Sequence, residues 1–278
     1  MRLFLVPITL AALLLAGAPA LAQGLPTDRN APAYLLDYWR GHAAGSTLGI
    51  DASETSPGYS ADAPTLYVHN IYGAKIPPAQ AELLKRRLMV AYQALMAQPS
   101  LADIHGSSLQ VAINIARTPT DGEPVINASL TFIAKPIIRG DPKTFALKGR
   151  YVTPGGEGPV LEVMLNPYGY VAGSNLRPGP IAGRAMALNA GTTIGLLVTD
   201  APAGPWDGKA SADAFAADES WIGRPGVHPL LVRVAGSRQH HEEIGRGRTP
   251  PTDGLARLIA AAYMVDWQAV QAQMATLR

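Results

Sequence analysis

LQVAINIARTPTDGEPVINASLTFIA, residues 109–134, holds two alternating runs around a turn cluster. Leu109, Val111, Ile113 and Ile115 alternate with Gln110, Ala112 and Asn114. A period of two is the mark of a strand with one face buried. Thr118-Pro119-Thr120-Asp121-Gly122 supplies the residues a turn favours. Val125 to Ala134 then repeats the alternation, with Ile126, Ala128, Leu130 and Phe132 on one side. Together they predict an antiparallel hairpin.

The period changes on moving upstream. PAQAELLKRRLMVAYQALMAQ, residues 78–98, carries Leu84, Leu88, Ala91, Tyr92, Leu95 and Met96 at helical spacing. Pro77 and Pro78 suit a helix start, and Pro99 stops it. Lys85-Arg86-Arg87 reads as a solvated helix face, too short and too free of aromatics for nucleic acid. Leu66-Tyr67-Val68 predicts a short strand, Gly45 to Pro64 a loop, and Ala33 to Trp39 a two-turn helix.

Downstream, Ala146 to Val152 and Val160 to Leu165 flank Pro154-Gly155-Gly156-Glu157-Gly158 and read as a further antiparallel pair. The glycine run lacks the Lys and Ser/Thr of a phosphate loop. Thr192 to Thr199 and Leu230 to Val234 are further strands. Thr252 or Asp253 begins a C-terminal helix whose apolar stripe is Leu255, Leu258, Ile259, Ala262 and Val265. Asp266 either caps a second helix or lies within the first.

The first 22 residues, MRLFLVPITLAALLLAGAPALA, hold one charge, Arg2, an apolar run and a small-residue end. That is the pattern of a secretory signal peptide cleaved after Ala22. The apolar run falls short of the roughly 20 residues a spanning helix needs. The expected organisation is a signal peptide over 1–22 and a single domain over 23–278. The expected class is α+β: an antiparallel β-sheet with a long helix after the N-terminal region and a C-terminal helix packed on one face. The expected location is periplasmic or secreted. No stable membrane span is expected after signal cleavage.

The chain of 278 residues has 23 basic and 21 acidic side chains, a formal net charge of +2. Removing Arg2 with the leader leaves 22 against 21, a net +1. So small a charge offers no strong electrostatic reason to bind nucleic acid or anionic lipid. Apolar types make up 47%, enough for a core and too many for a disordered chain. There is no cysteine, so disulfides, thiolate nucleophiles, lipid attachment at cysteine and iron–sulfur clusters are excluded.

The densest group of metal-capable side chains is His240, His241 and Glu243. On a helix His240 and Glu243 would share a face, while His241 would point elsewhere. The spacing is not that of a zinc-protease helix, and a solvated loop is the plainer reading. His42, His69, His105 and His228 stand apart in sequence. No G-x-S-x-G elbow occurs, and His105-Gly106-Ser107-Ser108 reads as a turn. The long stretch from Ala201 to Pro229 carries Trp206, Asp207 and Trp221, an aromatic and acidic set suited to a ligand such as a sugar. No cofactor motif is present.

The expectation is therefore a non-catalytic binding or envelope-associated domain, its partner an unidentified envelope or extracellular ligand or protein. The alternative is a secreted, metal-dependent hydrolase using His240, His241 and Glu243, with His228 nearby. A third expectation is an assembly protein that self-associates through exposed apolar loops.

Overall fold

The computed structural model describes residues 33–42, 56–119, 122–155, 157–167 and 230–278, together with strand segments 177–178, 184–189 and 193–198. The leader, Trp206, Asp207, Trp221 and His228 lie outside the described residues.

The described helices are α1 (Ala33–Arg40), α2 (Pro78–Met96), α3 (Pro99–Ala102), α4 (Arg238–Gly245), α5 (Gly254–Met264) and α6 (Trp267–Thr276). The strands of the main sheet are β1 (Thr65–His69), β2 (Ser107–Thr118), β3 (Val125–Pro136), β6 (Val160–Leu165), β7 (Arg177–Pro178), β8 (Arg184–Asn189), β9 (Thr193–Val198) and β10 (Leu230–Ala235). Their order is β1-β2-β3-β6-β10-β9-β8-β7. β4 (Phe145–Leu147) and β5 (Arg150–Val152) form a separate two-stranded sheet. The class is α+β.

The expected hairpin is present. β2 and β3 pair antiparallel along their whole length, with Val111 opposite Phe132 and Ile113 opposite Leu130. The rows continue through Leu161 and Val163 of β6 to Val234 and Val232 of β10. These side chains form one apolar face. Leu84, Leu88, Ala91 and Leu95 of α2 and Leu255, Leu258 and Ile259 of α5 share its core. Phe132 stacks on Tyr92, with ring centroids 6.0 Å apart.

Three expectations need correction. The sheet is mixed rather than antiparallel, because β1 pairs parallel to β2, from Thr65 opposite Ala112 to His69 opposite Ala116. The chain leaves β1, crosses through α2 and returns alongside, which is how parallel neighbours must be joined. Second, β6 does not pair with the segment before the glycine run. It lies between β3 and β10, while residues 145–152 close on themselves. The turn is Lys148-Gly149, with φ of 51° and 77°. Positive φ at both positions is the two-residue geometry whose twist matches a hairpin. Third, Arg86 and Arg87 are not merely solvated: their guanidinium groups donate to the carbonyls of Arg278 and Leu277. Burial, then the neighbouring Arg86, lowers the Arg87 pKa.

The capping signals are realised. Asp253 accepts from the Leu255 and Ala256 amides and starts α5. Asp266 accepts from the Gln268 and Ala269 amides and starts a separate α6. Each carboxylate satisfies donors that a helix start leaves open. Pro99 ends α2 as expected but also opens the single turn of α3.

The helical layer is tied by a buried arginine. Arg257 is 1% exposed, and its guanidinium donates to Thr252 O and Ser100 O, both at 2.9 Å. Its carbon Cζ sits 4.7 Å over the Trp39 ring, and Trp39 Nε1 donates to Pro251 O. One side chain thus joins α1, α3 and the start of α5.

Candidate functional site

The alternation that buries one face of the sheet turns its polar half to the other. Register then orders these side chains into rows. Ala112, Thr131, Glu162 and Arg233 lie abreast, with Thr65 beside Ala112. Asn114, Ser129, Met164 and Leu231 form the next row, with Tyr67 beside Asn114. Neighbouring strands are about 4.8 Å apart, and same-face residues along a strand about 6.8 Å. The rows therefore form a grid that sets the hydroxyl, amide, carboxylate and guanidinium groups of Thr131, Ser129, Asn114, Glu162 and Arg233 beside the apolar Ala112, Met164 and Leu231.

Ala112, Asn114, Ser129 and Thr131 are half-buried, as are Glu162 and Arg233, while Met164 and Leu231 are buried. Arg233 Nε donates to Glu162 Oε2 at 2.8 Å, and a second guanidinium nitrogen contacts the same carboxylate oxygen. The pair is held across adjacent central strands and cancels its own charge. At the edge of the grid, the Tyr67 and His69 rings are 6.3 Å apart and nearly parallel, and His69 Nε2 lies 3.4 Å from Asn114 Oδ1. Sequence reading missed this set. The polar half of each strand was visible, but register alone shows which residues stand side by side.

The metal-capable group is on a helix, not the expected loop. Ser237 caps α4 by accepting from the His240 amide. His240 and His241 leave the helix about 100° apart. His240 Nε2 lies 2.9 Å from Asp253 Oδ1, the carboxylate that caps α5. Glu243 is 2.9 Å from Arg246 and 3.7 Å from Arg248. His241 turns toward Gly236, where an added Cβ would lie 3.5 Å from Nε2. Among the described residues, no three His, Asp or Glu side chains gather as a metal ion requires.

His42 and His105 make local contacts. His42 Nδ1 lies 2.6 Å from Tyr38 O at the end of α1. His105 Nδ1 lies 3.1 Å from Asp103 O. Gly106 turns the chain into β2 with φ of 72°, as the His-Gly-Ser-Ser reading expected.

No described helix is long and apolar enough to cross a membrane. The chain matches no protein-family model, no curated protein and no solved structure among those compared with it.

Proposed function

We propose that this protein is an exported, non-catalytic binding domain that receives a small polar ligand on the second face of its sheet. The observation that carries the reading is the grid built around Asn114, Thr131 and the Glu162–Arg233 pair. A sheet locked by a packed layer behind it presents such groups with little ordering cost on binding. Because Glu162 and Arg233 neutralise each other, the favoured ligand is neutral or zwitterionic. Tyr67 and His69 offer a flat edge on which a sugar or aromatic ring can stack. The leader-like segment 1–22 supports export.

A thermal-shift screen with neutral sugars, amino acids and nucleosides tests it. A ligand at about 100 times its Kd stabilises by about 2.7 kcal/mol, which moves the midpoint by several degrees. We expect at least one class to do so, and the shift to disappear in Asn114→Leu with Thr131→Val. A flat response across all three classes, or a shift indifferent to both substitutions, overturns the reading.

A second reading is a secreted hydrolase, metal-dependent, at His240, His241 and Glu243. The 2.9 Å His240–Asp253 contact favours it, because a carboxylate that orients an imidazole serves both metal ligation and proton transfer. Zinc or manganese that co-purifies with the protein and is lost in His240→Ala would support it. Metal-free protein with no metal-stimulated esterase or phosphatase activity removes it.

A further inference from the structure

Strand β1 ends the main sheet on one side. It pairs with β2 alone, so among the described residues its other row of amides and carbonyls meets no strand. Such a row is a template for a further strand. The opposite end of the sheet is blunted. There β7 is two residues long and consists of Arg177 and Pro178. Brevity, charge and proline each discourage pairing. The five residues of β1 include neither proline nor a charged side chain. From Ala63 to Ala74 the chain holds no Asp, Glu, Lys or Arg at all.

Two apolar rows of the core run out at this edge. Leu66 continues the row of Ile113, Leu130, Val163 and Val232. Val68 continues the row of Ile115, Ala128, Leu165 and Leu230. The inner members are buried, yet Leu66 is 40% exposed and Val68 37%. The helical layer therefore stops short of β1. Ile71 and Tyr72 follow directly, and both are exposed. Completing the two rows takes a strand with apolar side chains at alternate positions.

We infer that the strand is β1 of a second copy, paired antiparallel about a two-fold axis that passes through Tyr67 normal to the sheet. That axis sets Leu66 opposite Val68 of the partner subunit, and Val68 opposite the partner's Leu66. Both core rows are thereby completed from the same five residues. On the second face Thr65 meets the partner's His69, and Tyr67 meets the partner's Tyr67, an aromatic pairing that cross-strand contacts favour. The run from Ala63 to Ala74 brings no like charges together. Pro64 has no amide hydrogen, so the ladder is confined to β1 itself.

Parallel pairing of the two edges fails this match. It requires one copy to be turned over, which sets Leu66 and Val68 beside the partner's Thr65, Tyr67 and His69. The antiparallel contact is isologous: it uses up both edges and closes at two copies. It extends the sheet in its own plane and leaves Asn114, Thr131 and the Glu162–Arg233 pair uncovered. It needs no ligand, so it stands apart from the proposed sheet-face site. Five residues a side make a small interface, so association belongs to the weak, concentration-dependent class.

The test is sedimentation velocity of the full chain from about 5 to about 500 μM, the range in which a weak interface responds. We expect a monomer–dimer equilibrium, with hydrogen exchange at the Thr65 to His69 amides slowing as concentration rises. Val68→Lys should raise the dimer Kd at least about tenfold, because it sets a charge against Leu66 at two places in the dimer. Adding Leu66→Glu to that variant sets carboxylate opposite ammonium across the axis and should recover about fivefold. Both positions are exposed, so thermal midpoints in dilute solution should match wild type. The leader is common to all variants, so differences among them report the edge. A monomer at every concentration overturns the inference and leaves the edge to a foreign strand. A dimer indifferent to Val68→Lys overturns it as well, and so does a loss that the added Leu66→Glu fails to reverse.

Discussion

Arg257 is the side chain on which the helical layer depends. Its donors meet two backbone carbonyls that have left water, and its plane covers Trp39. Arg257→Ala leaves both carbonyls short of that donor and opens a cavity beneath α1. Losses of this kind cost about 3–5 kcal/mol, readable as a fall in the urea midpoint. Tyr34 and Tyr92 make a pH-dependent contribution. Their hydroxyls donate to Thr249 O at 3.0 Å and Ala61 O at 3.1 Å. Burial raises both pKa values, and the charges of Asp253 and Asp62 add to it. A phenol raised in the folded state ionises more readily once unfolded. The stability it contributes is present below the ordinary phenol pKa of about 10 and is lost as pH climbs through the raised folded values. Denaturant titrations from pH 8 upward should therefore show stability falling in the alkaline range. Tyr34→Phe with Tyr92→Phe should flatten that fall, and an unchanged slope would contradict it.

The C-terminal helices owe their separation to one carboxylate. Asp266 ends the run that a continuous apolar stripe would otherwise carry on. Asp266→Ala should cost about 1 kcal/mol, the usual worth of such a cap, seen in the unfolding midpoint. α4 shows why element type was hard to read. Only Ile244 of its eight residues is buried, so no apolar stripe announced a helix. Its start depends on Ser237, a single polar residue. β1 posed the same difficulty in another form. All five of its residues are exposed, so alternation carries no information about its partner, and its parallel pairing follows from the path through α2. The hairpin of residues 145–152 turned on Lys148, a non-glycine residue at positive φ, where glycine-rich residues 154–158 offered the more familiar turn chemistry.

At the scale of the molecule, one layer of helices covers one face of the sheet. That division sets what each side of a strand does. The apolar half of β2, β3, β6 and β10 makes the core with α2 and α5, and the other half, where Asn114, Ser129, Thr131, Glu162 and Arg233 stand beside buried Met164 and Leu231, is the binding face we propose.

The elements with a strong period were already determined in the linear chain: the β2–β3 hairpin, α2 and α5, whereas the choice of Asp253 over Thr252 and the break at Asp266 came with the structure. The periodic elements rest on neighbours in sequence, because strand alternation and helical spacing act over a few residues. Tertiary structure alone decided the parallel β1, the place of β6, the burial of Arg257 and the meeting of Glu162 with Arg233. Those depend on which distant segments lie side by side, and contacts 71 or 157 residues apart leave no local trace in composition or period.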